Sequence, residues 1–131
     1  MTVRIIALLA ILHLPNFLFS QFSKPRVISQ CLDCNPYNFQ TGDVDGDLDI
    51  DLIAITDVGI VWYSNQGAGN FIMQVLHIDY GYKFHNLKIV DMDNDGNLDI
   101  SFFRSKHYTH KDSQLLWMKN KGGGIFDQAQ F

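Results

Sequence analysis

The chain has 131 residues, 47% of them hydrophobic, and a formal net charge of −4 at pH 7. All 14 acidic residues are aspartates, and nine of them lie in two short segments. An acidic chain without a basic patch is a poor partner for nucleic acid or anionic lipid, so we exclude both as principal ligands.

Residues 1–20 have the pattern of a secretory signal peptide. A basic start ending at Arg4 precedes an apolar run from Ile5 to Leu12, and we expect cleavage after the small residue Ser20. An uncleaved anchor or a buried first strand is the alternative, but the apolar run is too short and interrupted to cross a bilayer. We therefore expect a secreted, extracellular or cell-surface chain with no membrane insertion after cleavage.

Residues 21–35 form an N-terminal segment that contains the only two cysteines, Cys31 and Cys34. The oxidising environment expected after secretion favours a disulfide between them. A C-x-x-C pair with no second pair or nearby histidine is a poor zinc site, so we predict a minor structural role.

Two features recur in the same order in the rest of the chain. The first is an acidic loop, at Asp43–Asp51 and again at Asp91–Asp99. The second is the motif W-x-x-N-x-G-x-G-x-F, at Trp62–Phe71 and Trp117–Phe126. The loops are 48 residues apart (91 − 43) and the motifs 55 (117 − 62), which predicts a longer hairpin loop within Arg104–Gln114.

The segments between these features predict strands, because they are short runs rich in β-branched and aromatic residues. No segment keeps the helical period of about 3.6 residues. Each repeat, 36–83 and 84–131, is predicted to contain four strands, which is the content of one propeller blade. The predicted strands include Leu52–Thr56, Ile60–Ser64, Phe71–Ile78, Leu87–Val90, Ile100–Arg104 and Leu115–Lys119.

The second loop, Asp91–Asp99, has the chemistry of a calcium site. Carboxylates stand at positions 1, 3, 5 and 9, a glycine at position 6, and a free backbone carbonyl at position 7. Calcium takes about six to eight oxygen ligands in a flexible shell, and alternate residues of a curled loop point to one centre. The glycine lets the chain reverse at position 6 without a clash of its Cβ.

The first loop has carboxylates at the same four positions, but Leu48 occupies position 6. A leucine there must adopt a positive φ or change the turn. Gly46 relieves part of the strain. We expect the first site to be weaker or more irregular than the second, Asp91–Asp99.

Other interpretations of these residues are less favoured. An EF-hand would need a glutamate at position 12, where Ala54 and Phe102 stand. A solvated acidic turn would not repeat in register, and clustered aspartates make poor glycosidase acids. His107 and His110 could bind a metal, but their polar loop predicts exposure to solvent.

The tryptophans of the repeated motif, Trp62 and Trp117, have two possible roles. They could serve as aromatic platforms for sugar. Each lies within an apolar strand, however, and a large ring in that position is predicted to fill the space between sheets.

The acidic pattern D-x-D-x-D-G-x-x-D together with W-x-x-N-x-G-x-G-x-F resembles the FG-GAP/VCBS repeat over about residues 36–131. Such repeats build the β-propellers of integrin α-subunits and of many secreted bacterial proteins. The resemblance implies an all-β fold of two four-stranded blade-like repeats, part of an incomplete β-propeller. It also implies Ca²⁺ as cofactor. The implied side-chain ligands are Asp43, Asp45, Asp47 and Asp51, and Asp91, Asp93, Asp95 and Asp99; the implied carbonyl ligands are Asp49 and Asn97.

The resemblance leaves the biological role open, because the fold hosts many functions. We expect a secreted, non-catalytic calcium-binding module for adhesion or for recognition of a protein or glycan. The alternative is an accessory or substrate-binding part of a larger extracellular carbohydrate-active enzyme. Propellers close with about four to eight blades, so we also expect further blades from a longer chain or self-association.

Overall fold

The computed structural model of the chain describes residues 24–28, 35–106 and 112–131. The predicted signal peptide, the two cysteines Cys31 and Cys34, and both His107 and His110 lie outside these residues. Within the described residues, no helix has the length and apolar character needed to cross a membrane.

The described residues form seven strands in two antiparallel sheets, which confirms the predicted all-β fold. The first sheet has the order β1-β2-β3-β4 and the second the order β5-β6-β7, and the two do not close into a ring. Each of the six predicted strands overlaps one of the observed strands from β2 to β7. The strands are β1 (Asn38–Gly42), β2 (Asp51–Ile55), β3 (Gly59–Asn65), β4 (Phe71–Ile78), β5 (Lys83–Val90), β6 (Asp99–Ser105) and β7 (Gln114–Met118).

The second repeat differs from the predicted four strands, because its last strand is reduced to isolated bridges. Trp117 and Gln130 exchange two backbone hydrogen bonds of 2.9 and 2.8 Å, and the backbone N–H of Asp127 donates to Lys119 at 2.8 Å. Gln130 lies three residues after Asp127, whereas Lys119 lies two residues after Trp117, so the segment that pairs with β7 contains one extra residue. That bulge interrupts the ladder along β7.

One hydrophobic core lies between the two sheets. Trp62 is 4% exposed, and its ring meets the edge of Phe126 with centroids 6.2 Å apart. The prediction that this tryptophan fills the space between sheets is therefore confirmed, whereas Trp117 is only half-buried. The buried core residues are Val44, Ile53, Ile55, Ile60, Trp62, Phe84, Leu87, Ile100, Phe102, Leu116 and Met118.

The first strands of the two repeats, β1 and β5, pack against each other. Each leads directly into an acidic loop, and β2 or β6 begins at the last aspartate of that loop. The fold therefore places both loops at strand ends, between the first and second strands of each repeat, as the sequence predicts.

Candidate metal centres

The first aspartate of each loop folds the loop around its own carboxylate. Asp43 Oδ1 accepts backbone N–H bonds from Gly46 at 2.8 Å and Asp47 at 3.1 Å, and its Oδ2 accepts one from Leu48 at 3.0 Å. Asp91 accepts the equivalent bonds from positions 5 and 6 of the second loop at 3.1 and 2.9 Å. The two loops therefore share one backbone arrangement despite their different residues at position 6.

Two positions in each loop require a left-handed backbone. In the first loop these are Gly46, with φ of 81°, and Leu48, with φ of 74°; in the second they are Asn94, with 60°, and Gly96, with 91°. Leu48 thus adopts the positive φ and does not change the turn. The left-handed residue at position 4 was not predicted from the sequence, although Asn94 was a signal, since asparagine tolerates this conformation.

Replacement of Leu48 by glycine should stabilise the chain by roughly 0.5–1 kcal/mol. The left-handed backbone costs a non-glycine residue about 1–2 kcal/mol, and glycine removes this cost. Part of the gain is lost, because glycine also increases the conformational entropy of the unfolded chain. Little packing is lost, because the leucine side chain is 89% exposed. Urea denaturation measures the change. Asn94→Gly is the matched control and should gain less stability. A Leu48→Gly variant that is less stable than the parent would show that the backbone at Leu48 is not strained.

The last aspartate of each loop is fully buried and connects the loop to the hairpin of the same repeat. Asp51 is 0% exposed, and its carboxylate accepts the backbone N–H of Val44 at 3.1 Å and of Asn65 at 2.8 Å. Asp99 is equally buried and accepts the same two bonds in the second repeat at 3.0 and 2.8 Å. Because hydrogen bonds to a carboxylate are stronger than neutral ones, these residues fix the loop to the sheet.

The asparagine of the repeated motif completes this connection, a role that the sequence alone did not reveal. Asn65 donates through Nδ2 to the carbonyl of Ile50 at 3.1 Å, and its Oδ1 accepts the N–H of Gly67 at 3.1 Å. Asn120 makes the equivalent bonds at 3.0 Å each, and its Nδ2 also reaches the Val44 carbonyl in the first loop at 2.7 Å. The repetition of W-x-x-N was the available signal. The two acidic loops are therefore neighbours, joined by one buried carboxamide.

Three of the four predicted side-chain ligands come together in each loop. One carboxylate oxygen of each member lies within 4.8 Å of the others, a spacing that could hold a metal ion. We call the first group cluster 1 and the second cluster 2. Cluster 1 is Asp43, Asp45 and Asp51, and cluster 2 is Asp91, Asp93 and Asp99.

The aspartates at position 5 are placed differently. Asp47 and Asp95 lie outside the two clusters. Each uses Oδ1 to accept the backbone N–H of the residue predicted as a carbonyl ligand: Asp49 at 2.8 Å and Asn97 at 2.9 Å. The arrangement keeps these four residues at the loop but brings only positions 1, 3 and 9 to a common centre.

Cluster 1 forms no ion pair with a lysine or arginine among the described residues. Asp45 Oδ1 is buried without a hydrogen-bond partner, and its Oδ2 accepts a 3.4 Å bond from Ser64. Burial raises the pKa of the Asp45 carboxyl, and the nearby charges of Asp51 and Asp47 raise it further. An oxygen that is buried, charged and unpartnered is costly, and a bound cation would offset this cost. The residues of cluster 1 therefore fit a divalent cation.

Cluster 2 meets a positive charge supplied by the chain itself. The ammonium group of Lys119 forms ion pairs with Asp93 and, at 2.9 Å, with Asp95. These hydrogen bonds, first to Asp93 and then to Asp95, raise the pKa of Lys119. The pKa of the Asp95 carboxyl is lowered, first by the N–H of Asn97 and then by Lys119. The second loop is thus electrostatically unlike the first.

Residues 43–102 match a protein-family model described as an FG-GAP-like repeat. The matched segment begins at the first aspartate of the first loop, contains both clusters, and ends inside β6. It confirms the resemblance inferred from the sequence motifs. No curated protein and no solved structure matches the chain.

Proposed function

We propose that this chain, whose residues 43–102 match a model of the FG-GAP-like repeat, is a calcium-binding, β-propeller-like repeat module. In this proposal the protein is secreted or displayed at the cell surface, and it recognises a protein or glycan ligand without catalysing a reaction. Further blades, from a longer chain or from a second copy, complete the propeller.

The unpartnered carboxylate oxygen of Asp45 carries the calcium part of the proposal. It lies beside two further carboxylates, Asp43 and Asp51, whose oxygens already accept backbone N–H bonds. Those bonds hold two sides of the cluster in place through contacts within the protein itself. Oxygen ligands in a flexible loop suit calcium better than magnesium, which demands a stricter octahedral geometry.

Asp43, Asp45 and Asp51 would hold the ion, with Asp47 and Asp49 adding negative charge nearby. When bound, calcium would neutralise the repulsion among these carboxylates and so tie the loop to the start of β2. The stabilisation serves the blade, because Asp51 also bonds the hairpin at Asn65. A structural role of this kind needs no titrating acid or base, which agrees with a non-catalytic module.

Calcium should raise the thermal unfolding midpoint of the purified chain by several degrees over its value in EDTA. A ligand at about one hundred times its Kd stabilises the native state by about 2.7 kcal/mol per site. Differential scanning calorimetry in CaCl₂, in MgCl₂ and in EDTA measures the effect. The expected order of midpoints is calcium above magnesium, and magnesium at or near EDTA.

Asp45→Asn provides the matched variant. The carboxamide keeps an acceptor for Ser64 but removes the charge, so the calcium-dependent increase should disappear. In EDTA the variant should be as stable as the parent or slightly more so, because the repulsion from Asp51 and Asp47 is gone. Asp57→Asn, at an exposed turn outside both clusters, should behave as the parent does. An unfolding midpoint that is the same in calcium and EDTA would overturn the proposed calcium site.

A further inference from the structure

The two repeats differ at the residue that precedes the repeated asparagine. In the first repeat this residue is Ser64, and in the second it is Lys119. Both side chains reach the acidic loop of their own repeat: Ser64 Oγ donates to Asp45 Oδ2 at 3.4 Å, and Lys119 Nζ pairs with Asp93 and Asp95. One structural position thus carries a neutral hydroxyl in one blade and a cation in the other.

The difference between Ser64 and Lys119 gives the two loops different net charges. The first loop contains five aspartates, and in the described part of the chain no lysine or arginine forms an ion pair with any of them, so its formal charge is −5. The second loop contains four aspartates, and with Lys119 its formal charge is −3 (−4 + 1). A lysine ammonium is a compact point charge with three donors, and it can satisfy carboxylate oxygens as a metal would.

We propose that Lys119 is a built-in counterion of the second loop, so that calcium binds at cluster 1 and at least tenfold more weakly, or not at all, at cluster 2. The proposal rests on the calcium binding proposed above. An ion at cluster 2 would share Asp93 with the ammonium group, and would therefore have to displace it or lie beside a like charge. Cluster 1 has no such competitor among the described residues.

This assignment reverses the order of strength expected from Leu48. Leu48 has the same left-handed backbone as Gly96 at the equivalent position of the second loop, and its side chain is exposed. The strain therefore lowers folding stability without changing the shape of the loop around cluster 1. Lys119 has the opposite effect. It stabilises the second loop through its ion pairs, and it reduces the stabilisation that a bound ion can add there. The two blades therefore differ in calcium dependence: the ion stabilises the first blade much more than the second.

The number of bound ions tests the proposal. Equilibrium dialysis with CaCl₂ should give one high-affinity ion per parent chain. Lys119→Ser, which places the residue of the first repeat into the second, should give two. Lys119→Met, which keeps the length of the side chain without its charge, should also give two, and Lys119→Arg should give one. Lys121→Ser is the matched control and should leave one ion, because Lys121 pairs with Asp127 outside both clusters.

Amide hydrogen exchange locates the ion independently of stoichiometry. Removing calcium with EDTA should accelerate exchange of the Gly46 and Leu48 amides, which donate to Asp43, by at least tenfold. The Asp95 and Gly96 amides in the second loop should change less than twofold. In Lys119→Ser both loops should become sensitive to EDTA.

The outcomes separate this inference from the function on which it rests. Two ions of equal affinity in the parent chain would overturn the role of Lys119 and leave the calcium module intact. No ion in the parent but one in Lys119→Ser would overturn calcium binding at cluster 1 and support the lysine as counterion. No ion in either chain would overturn both.

Discussion

Asp99→Asn should lower the free energy of unfolding by roughly 2–4 kcal/mol, even though the two side chains have nearly the same shape. The carboxylate is 0% exposed, and each of its oxygens accepts one backbone N–H, from Met92 at 3.0 Å and from Asn120 at 2.8 Å. A carboxamide has one acceptor oxygen, so one N–H would face an NH₂ group. A buried donor left without a partner costs about 1–3 kcal/mol, and the remaining bond loses its charge assistance.

The measurement is urea denaturation in EDTA, with tryptophan fluorescence as the signal for unfolding. Because a domain of this size has roughly 5–15 kcal/mol of stability, a loss of this size shifts the midpoint clearly. Asp57→Asn is the control, since this aspartate is exposed in the turn before β3. A change of less than about 0.5 kcal/mol, the range of ordinary surface substitutions, would show that Asp99 does not hold the loop to the hairpin.

Asp45→Asn is the same chemical change at position 3 of the first loop, yet in EDTA we expect it to cause no loss of stability. The difference follows from what each carboxylate contacts. Asp99 uses both oxygens for backbone donors, whereas Asp45 has one buried oxygen with no partner and two repelling neighbours. Loop position 9 is therefore structural, and loop position 3 is where charge is available for an ion.

The strands and both acidic loops could be predicted from the sequence, because they depend on local patterns. β4 spans Phe71–Ile78, as predicted, since a run of apolar residues between glycine-rich turns is sufficient to define it. The turn at position 6 was also predictable in the second loop, because Gly96 tolerates a left-handed backbone, whereas Leu48 left two possibilities open in the first. In both cases the information lies within about ten residues of the feature.

The remaining features depend on contacts between distant residues. Asn120 bonds the carbonyl of Val44, 76 residues earlier in the chain. Lys119 reaches Asp93 across 26 residues, so a metal-like pattern at Asp91–Asp99 gave no sign of an internal cation. Position 5 belongs to the metal pattern in sequence, yet Asp47 and Asp95 each bond the backbone two residues ahead. Spacing indicates which residues share a loop, but the packing of β7 against β6 decides which charges meet.

Gly124→Ala should lower the free energy of unfolding by roughly 2–5 kcal/mol. A Cβ at this position would lie 2.2 Å from Cη2 and 2.7 Å from Cζ3 of Trp62, and the backbone φ is +70°. The clash cannot be relieved easily, because the Trp62 ring is 4% exposed and belongs to the core between the sheets. Overpacking costs about 1–3 kcal/mol, and the left-handed backbone adds about 1–2 kcal/mol.

Gly123→Ala is the matched control for the packing contribution. Its φ is +62°, close to that of Gly124, but a Cβ there would have no neighbour within 4 Å. The control should therefore lose only the backbone contribution, about 1–2 kcal/mol. Equal losses in the two variants would contradict a close contact between the glycine-rich turn and Trp62.

A double-mutant cycle identifies the partner in that contact. Trp62→Phe shortens the ring that faces Gly124, so Gly124→Ala made in that background should cost no more than Gly123→Ala. If the cost stays at its full value, the alanine clashes with something other than the indole. If the cost falls, the contact between Trp62 and Gly124 explains why the W-x-x-N-x-G-x-G-x-F motif contains a tryptophan and a final glycine. The tryptophan of the motif in the first repeat packs against the last glycine of the motif in the second repeat, and this contact joins the neighbouring blades.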